Sequence, residues 1–216
     1  MLGVMTRPRL LDLFCGAGGA ARGYQMAGFR VTGVDSRPQP RYAGDEFTCA
    51  DAMTFPLDGF DVIHASPPCQ DHMRSPTWNS AEHGTGWMLA ATRDRLAGCG
   101  IPWVIENVPG ADIRVDYRLC GCMFGLRVRS ERWFETSWRG FDLIPPHDHR
   151  AEVLNRFRNM QGPAFRRRGR IASRREIALA MGIDWMAGDE YKQAIPPAYT
   201  EYIGCALMEE LVTPSR

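Results

Sequence analysis

Apolar residues in this chain fall into short blocks, each closed by a glycine, a proline or a charged residue. Leu10 to Phe14 is such a block, and it leads into Cys15-Gly16-Ala17-Gly18-Gly19. Ala20 to Ala27 then has helical spacing, so the start of the chain predicts strand, glycine turn, helix. Arg30 to Val34 predicts a second strand ending at Asp35. Phe60 to Ala65 predicts a third, running into Ser66-Pro67-Pro68-Cys69, and Ile101 to Ile105 a fourth, ending at Glu106-Asn107. Helical patterns such as Thr85 to Leu96 separate the strands, and this alternation predicts an α/β fold on a parallel sheet. The charged and reactive residues stand just past the strands' C-terminal ends. Open parallel sheets bind ligands at that edge, so four such ends predict one shared crevice.

The pattern changes between Ser137 and Asp189. Pro145-Pro146, His147 and His149 are followed by Arg150, Arg156, Arg158, Arg166, Arg167, Arg168, Arg170, Arg174 and Arg175, with few opposing acids. Helical spacing returns over Arg174 to Met181 and again from Pro197 to Leu211, where Tyr199, Ile203, Leu207 and Leu211 recur a turn apart. With 216 residues and 44% hydrophobic content, the chain supports one sizeable core. A formal charge of +1 gives no overall attraction for a polyanion, so any phosphate-binding surface must come from the arginine stretch. Lys192 is the only lysine, and GC-rich coding explains that as well as phosphate binding does. The stretch itself reads either as phosphate contacts or as a solvated charged loop.

No long apolar run and no leader-like start is present, which predicts a cytoplasmic protein and no membrane partner. Seven cysteines, odd in number and scattered, are then expected as reduced thiols. Cys120-x-Cys122 and His147-x-His149 are each too closely spaced for the usual zinc pairs, so no metal is expected. Cys120 and Cys122 read instead as small packing residues.

The motifs narrow the chemistry. Gly16, Gly18 and Gly19 let a backbone turn approach a ligand, and the helix after them offers free N–H groups. By themselves such glycines are equally compatible with packing. Asp35 after the next strand suits the hydroxyls of a ribose, or a surface acid. Pro67 and Pro68 fix φ and hold Cys69 rigidly, as a nucleophile requires, while a buried structural cysteine is the plainer reading. Glu106 follows an apolar strand, where burial raises a carboxyl pKa toward use as a general acid; the alternative is a cap before the Pro109-Gly110 turn.

Taken together, Asp12-Leu13-Phe14-Cys15-Gly16-Ala17-Gly18-Gly19, Pro67-Pro68-Cys69-Gln70 and Glu106-Asn107-Val108 resemble, in order, three motifs of the DNA cytosine C5-methyltransferases. Arg127 to Phe134 resembles that family's arginine motif, and Gln193-Ala194-Ile195-Pro196-Pro197 its C-terminal motif. The compact arrangement is most similar to the short bacteriophage cytosine methylases.

The resemblance implies a Rossmann-like α/β sheet with a small irregular insertion, using S-adenosylmethionine on double-stranded DNA as a monomer. Its implied cofactor contacts are Phe14, Gly16, Gly18, Asp35, Asp51, Pro67, Gln193 and Ala194. Its implied catalytic residues are Cys69 as nucleophile, Glu106 on the cytosine ring, and Arg132 with Arg129. Gln70, Arg166, Arg167, Arg168 and Arg170 are the implied nucleic-acid contacts. Residues 1–136 would form the catalytic cofactor-binding domain, 137–188 an abbreviated target-recognition segment and 189–216 a returning helix. Two positions depart from the family pattern: Val128 and Ser130 stand where a glutamine and an arginine are usual, and Lys192-Gln193 where Gly-Asn is usual. The motifs concern the ring and the methyl donor. They do not separate DNA from RNA, exclude a modified sulfonium donor, or distinguish an enzyme from a non-catalytic DNA-binding relative.

Overall fold

The computed structural model describes residues 6–68, 86–138, 147, 149, 154 and 172–212. Seven strands form one sheet: β1 (Arg9–Leu13), β2 (Arg30–Asp35), β3 (Glu46–Cys49), β4 (Val62–Ala65), β5 (Trp103–Asn107), β6 (Tyr117–Leu119) and β7 (Arg132–Thr136). Their order is β3-β2-β1-β4-β5-β7-β6. The first five run parallel; β7 is antiparallel to β5, and β6 to β7. The order reverses between β1 and β4, which places the crevice of an open sheet at their carboxyl ends.

Both faces of the sheet are covered, so successive residues of one strand enter different cores. Leu10, Val62 and Val104 point to one side with Tyr24, Phe29, Tyr199, Ile203 and Leu207. Leu11, Ile63 and Ile105 point to the other, with Leu89, Leu96 and Trp103. The first side is closed by α1 (Gly19–Met26) and α4 (Pro197–Val212), the second by α2 (Gly86–Ala97). Arg93 of α2 reaches the buried Glu135 of β7 with Nε at 3.0 and 3.2 Å from its two oxygens. A third cluster joins Val128 to Ile177 and Ala178 of α3 (Arg174–Ala180), and to Met181, Ile183, Tyr191 and Ala194. Among the described residues no helix is long and apolar enough to cross a membrane.

The contact of α1 with α4 depends on a missing side chain. A Cβ at Gly23 would lie 2.1 Å from the Pro197 carbonyl oxygen and 2.1 Å from Thr200 Oγ1. The helices meet this closely because Thr200 donates its hydroxyl to the Ala20 carbonyl at 2.8 Å. Gly23→Ala is therefore expected to push the helices apart and cost about 3 kcal/mol. Urea denaturation should show the loss as a lower midpoint; an unchanged midpoint would contradict this packing.

Candidate functional site

The glycine turn between β1 and α1 forms one wall. Phe14, Gly16 and Gly18 all have positive φ, at 60°, 49° and 83°, and a Cβ at Gly16 would meet nothing within 4 Å. The turn is held from three directions. Gly16 N–H donates to Asp35 Oδ2 at 3.0 Å, and Trp185 Nε1 donates to the Ala17 carbonyl at 2.9 Å. From the C-terminal region, the Ile195 carbonyl oxygen would lie 2.6 Å from a Cβ at Gly19 and Ala194 Cβ 3.3 Å from it, so this chain segment lies directly on the turn. Gln193 is exposed and Ala194 buried.

Asp35 already accepts two backbone N–H groups, since Arg37 N–H reaches its other oxygen at 2.9 Å. Each carboxylate oxygen has a second lone pair, so the group retains capacity for a hydroxyl donor. Asp51 is exposed and accepts the Met53 N–H at 2.9 Å. Asp12 is a residue whose importance periodicity alone hides, an acid inside the apolar run of β1. It is 1% exposed, and neither carboxylate oxygen has a hydrogen-bond partner among the described residues. Burial, reinforced by the charges of Asp35 and Glu106, pushes its pKa well above the usual carboxylate range. A buried, unsatisfied acid at a strand end is complementary to a cationic or donor-rich ligand.

The second wall comes from the ends of β4, β5 and β7. Glu106 and Asn107 close β5 and are both buried. Asn107 Nδ2 donates to the Pro67 carbonyl at 3.2 Å, tying the proline loop to β5. The antiparallel register sets Glu106 opposite Phe134 and Asn107 opposite Trp133, which brings Arg132 to the same edge. Arg132 Nε lies 2.9 Å from Glu106 Oε1 as an ion pair, although its N–H is not aligned on that oxygen. Burial raises the Glu106 pKa, while Arg132 and a hydrogen bond from Ser66 oppose the rise.

A buried relay lies behind Glu106. Tyr24 Oη is 2.9 Å from His64 Nδ1, and His64 Nε2 is 2.9 Å from Ser66 Oγ. Burial lowers the His64 pKa to about 3, so the ring is neutral at physiological pH. With Ser66 donating to a Glu106 oxygen, one proton arrangement satisfies every member: Tyr24 donates to Nδ1, Nε2–H donates to Ser66, and Ser66 donates to Glu106. His64 lies inside the third apolar run, where nothing in the spacing marks it.

The depressed His64 pKa carries a pH signature. Unfolded histidine takes up a proton near pH 6.5, whereas the buried ring resists protonation down to about pH 3. Its neutral burial therefore favours the native state above about 6.5, and that advantage is lost as pH falls toward 3, up to roughly 4 kcal/mol. Asp12 and Glu106 act with the opposite sign because their native pKa values are raised. The His64 part is isolated by comparing wild type with His64→Gln. The wild type is expected to lose stability relative to the variant as pH falls through this window, and a pH-independent difference would refute a neutral buried ring.

Arg129 does not join Glu106. Its Nη2 donates to the His149 carbonyl at 3.1 Å, which directs it toward the turn after β6. That turn holds a grouping the spacing did not reveal: Cys120, Cys122, His147 and His149 present ligand atoms that all lie within 4.8 Å of one another. The spacing within each pair argues against zinc, but the fold puts the two pairs together. Cys69, Gln70, Arg166, Arg167, Arg168 and Arg170 lie outside the described residues.

The strand order, with its antiparallel β7, is that of an open Rossmann-like α/β sheet. No protein-family model and no curated protein matches the sequence. Among solved structures the chain is similar to a protein described as a DNA modification methyltransferase encoded within an Escherichia coli prophage, at 18% identity and a TM-score of 0.46 over 60% of this chain and 46% of that one. It is similar to Schizosaccharomyces pombe Dnmt2 methyltransferase at 17% identity and a TM-score of 0.45, over 63% of this chain and 52% of that one. It is also similar to a Salinibacter ruber RNA methyltransferase in complex with S-adenosyl-L-homocysteine, at 13% identity and a TM-score of 0.39, over 65% and 87% of the two chains. The match thus spans about half the length of the first two proteins.

Proposed function

We propose that the chain transfers a methyl group from S-adenosylmethionine to C5 of cytosine in double-stranded DNA, through a covalent bond between Cys69 and C6 of the ring. The observation that carries this reading is the buried Glu106, paired with Arg132 and backed by Ser66, at the strand edge from which the Pro67-Pro68-Cys69 loop leaves.

The turn at Phe14, Gly16 and Gly18 and the unsatisfied Asp12 fit the donor. Gly16 leaves open space, and the Asp12 carboxylate suits the donor's ammonium group, whose positive charge would restore the acid to its ionised form. Phe14, Asp35, Asp51, Pro67, Gln193 and Ala194 complete the proposed cofactor contacts. When bound, the sulfonium supplies an electrophilic methyl group.

The chain's own residues make the cytosine reactive. The Cys69 thiolate adds to C6, its lone pair forming the S–C6 bond while the ring electrons move toward C5 and N3. Glu106 hydrogen-bonds N3 and disperses that charge; Arg132 holds Glu106 in place and bears on the same ring edge. After C5 has accepted the methyl group, loss of its proton to a base and breakage of the S–C6 bond restore the ring and the thiolate. Attack above the ring plane requires the base to leave the stack. Gln70 and the arginines at 166, 167, 168 and 170 are proposed to contact DNA, the arginines within a recognition segment (137–188) short enough that the target site is short or degenerate.

Nucleoside mass analysis of duplex DNA incubated with the protein and S-adenosylmethionine tests the reading. It should reveal 5-methylcytosine. Methylation of RNA alone would move the substrate, and no modified cytosine in either polymer would sink the proposal.

A further inference from the structure

The turn after β6 is shaped to bring two cysteines and two histidines to one point. Gly121 separates Cys120 from Cys122, and a Cβ there would lie 1.8 Å from the Val128 carbonyl oxygen, so the Cys-Gly-Cys backbone lies flat against the arginine turn. Gly121 N–H donates to the Arg129 carbonyl at 2.7 Å and Leu126 N–H to the Gly121 carbonyl at 2.9 Å. Opposite, His149 is held by Arg129 Nη2 on its carbonyl (3.1 Å), and Leu154 donates its N–H to the Arg127 carbonyl (2.7 Å).

The distances suit a tetrahedral cation. Zinc–sulfur and zinc–nitrogen bonds of about 2.3 and 2.0 Å at tetrahedral angles put a sulfur and a nitrogen ligand about 3.5 Å apart. Cys120 Sγ and His149 Nε2 are 3.5 Å apart, and all four ligand atoms fall within 4.8 Å of one another. The imidazoles of His147 and His149 sit 4.3 Å apart at 88°, edge to face, so they can aim lone pairs at one place without stacking. Cys120 is buried, Cys122 half-buried and both histidines exposed, which leaves an open path from solvent.

We propose that Cys120, Cys122, His147 and His149 bind a structural zinc ion that fastens the first part of the 137–188 segment to the turn bearing Arg129. Two thiolates and two imidazoles form a borderline-soft tetrahedral set, which selects zinc over magnesium or calcium. The Cys120 thiol donates to the Arg129 carbonyl at 3.1 Å. Binding releases the two thiol protons to solvent, and the two sulfur lone pairs and two ring-nitrogen lone pairs form the four bonds. The site does not depend on the methyl-transfer reading, because it lies outside the residues assigned to the donor and the cytosine ring.

The untagged full chain, purified without chelator, should carry about one zinc per molecule by elemental mass spectrometry. Cys122→Ser and His147→Asn remove the more accessible ligands at little cost in packing, and each should reduce the zinc to background. Should a variant fail to fold, cobalt(II) exchanged into the wild type gives an independent reading. Intense visible bands of tetrahedral cobalt and a thiolate-to-metal charge-transfer band are expected. Zinc content unchanged by both variants, only the weak spectrum of octahedral cobalt, or an iron–sulfur absorption in the purified protein would overturn the assignment.

Discussion

Cys69→Ala is expected to abolish methyl transfer while leaving the fold and donor binding intact. Cytosine C5 is a poor nucleophile until a soft nucleophile adds at C6, and alanine offers nothing to add. The loss should be about 10⁴-fold or more, equivalent to more than about 5 kcal/mol of barrier. Folding should be spared because the change removes one sulfur atom and alters none of the residues of the two described cores or the Asn107–Pro67 bond. Turnover is read as 5-methylcytosine in DNA, and the fold by thermal denaturation. A second readout is trapping: DNA carrying 5-fluorocytosine should form a stable adduct with the wild type and none with the variant, since fluorine blocks loss of the C5 substituent. Turnover by the alanine variant above background would rule out a covalent mechanism.

Glu106→Gln is expected to slow transfer by about 10²- to 10³-fold, less than loss of the cysteine, because it removes the acid while keeping a group able to hydrogen-bond the ring. Its diagnostic is a pH profile. Burial raises the Glu106 pKa, with Arg132 and Ser66 opposing, so the carboxyl keeps its proton to higher pH than an exposed glutamate does. If protonated Glu106 assists at N3, kcat for the wild type should fall as pH rises through that raised pKa, whereas the glutamine variant should show no such limb. Identical profiles would remove Glu106 from proton transfer and leave it a positioning role. Glutamine also leaves Arg132 beside an uncharged partner, so stability of the variant must be measured alongside.

Much of the framework can be read from local pattern. The runs at Leu10, Arg30, Phe60 and Ile101 correspond to β1, β2, β4 and β5, because a strand covered on both faces must be nearly continuous in apolar residues. The helical spacing from Pro197 matches α4. β3 leaves no apolar pattern because it is an edge strand of four residues, largely exposed, with no side to bury. β6 has three residues, too few to establish a period. β7 was hidden within the stretch read as an arginine motif, and its antiparallel pairing with β5 brings Arg132 to Glu106.

The sequence by itself determined the class of sheet and the motif order along it, because strand periodicity, glycine turns and the proline loop are local properties of neighbouring residues. Tertiary structure alone decided which side chains meet. Asp12 looks like one polar interruption of a strand until burial leaves it unsatisfied, and His64 like any residue of an apolar run until Tyr24 and Ser66 close on its two nitrogens. Two arginines are candidates beside the glutamate; the β5–β7 register places Arg132 there, and Arg129 instead hydrogen-bonds the His149 carbonyl. The Cys120, Cys122, His147 and His149 cluster is the extreme case: each pair is unremarkable in spacing, and only the close approach at Gly121 and the pinning of the chain at His149 and Leu154 bring four ligands together. Contacts between residues far apart in the chain depend on strand order and on how closely backbones approach, and neither is written in the spacing of either partner alone.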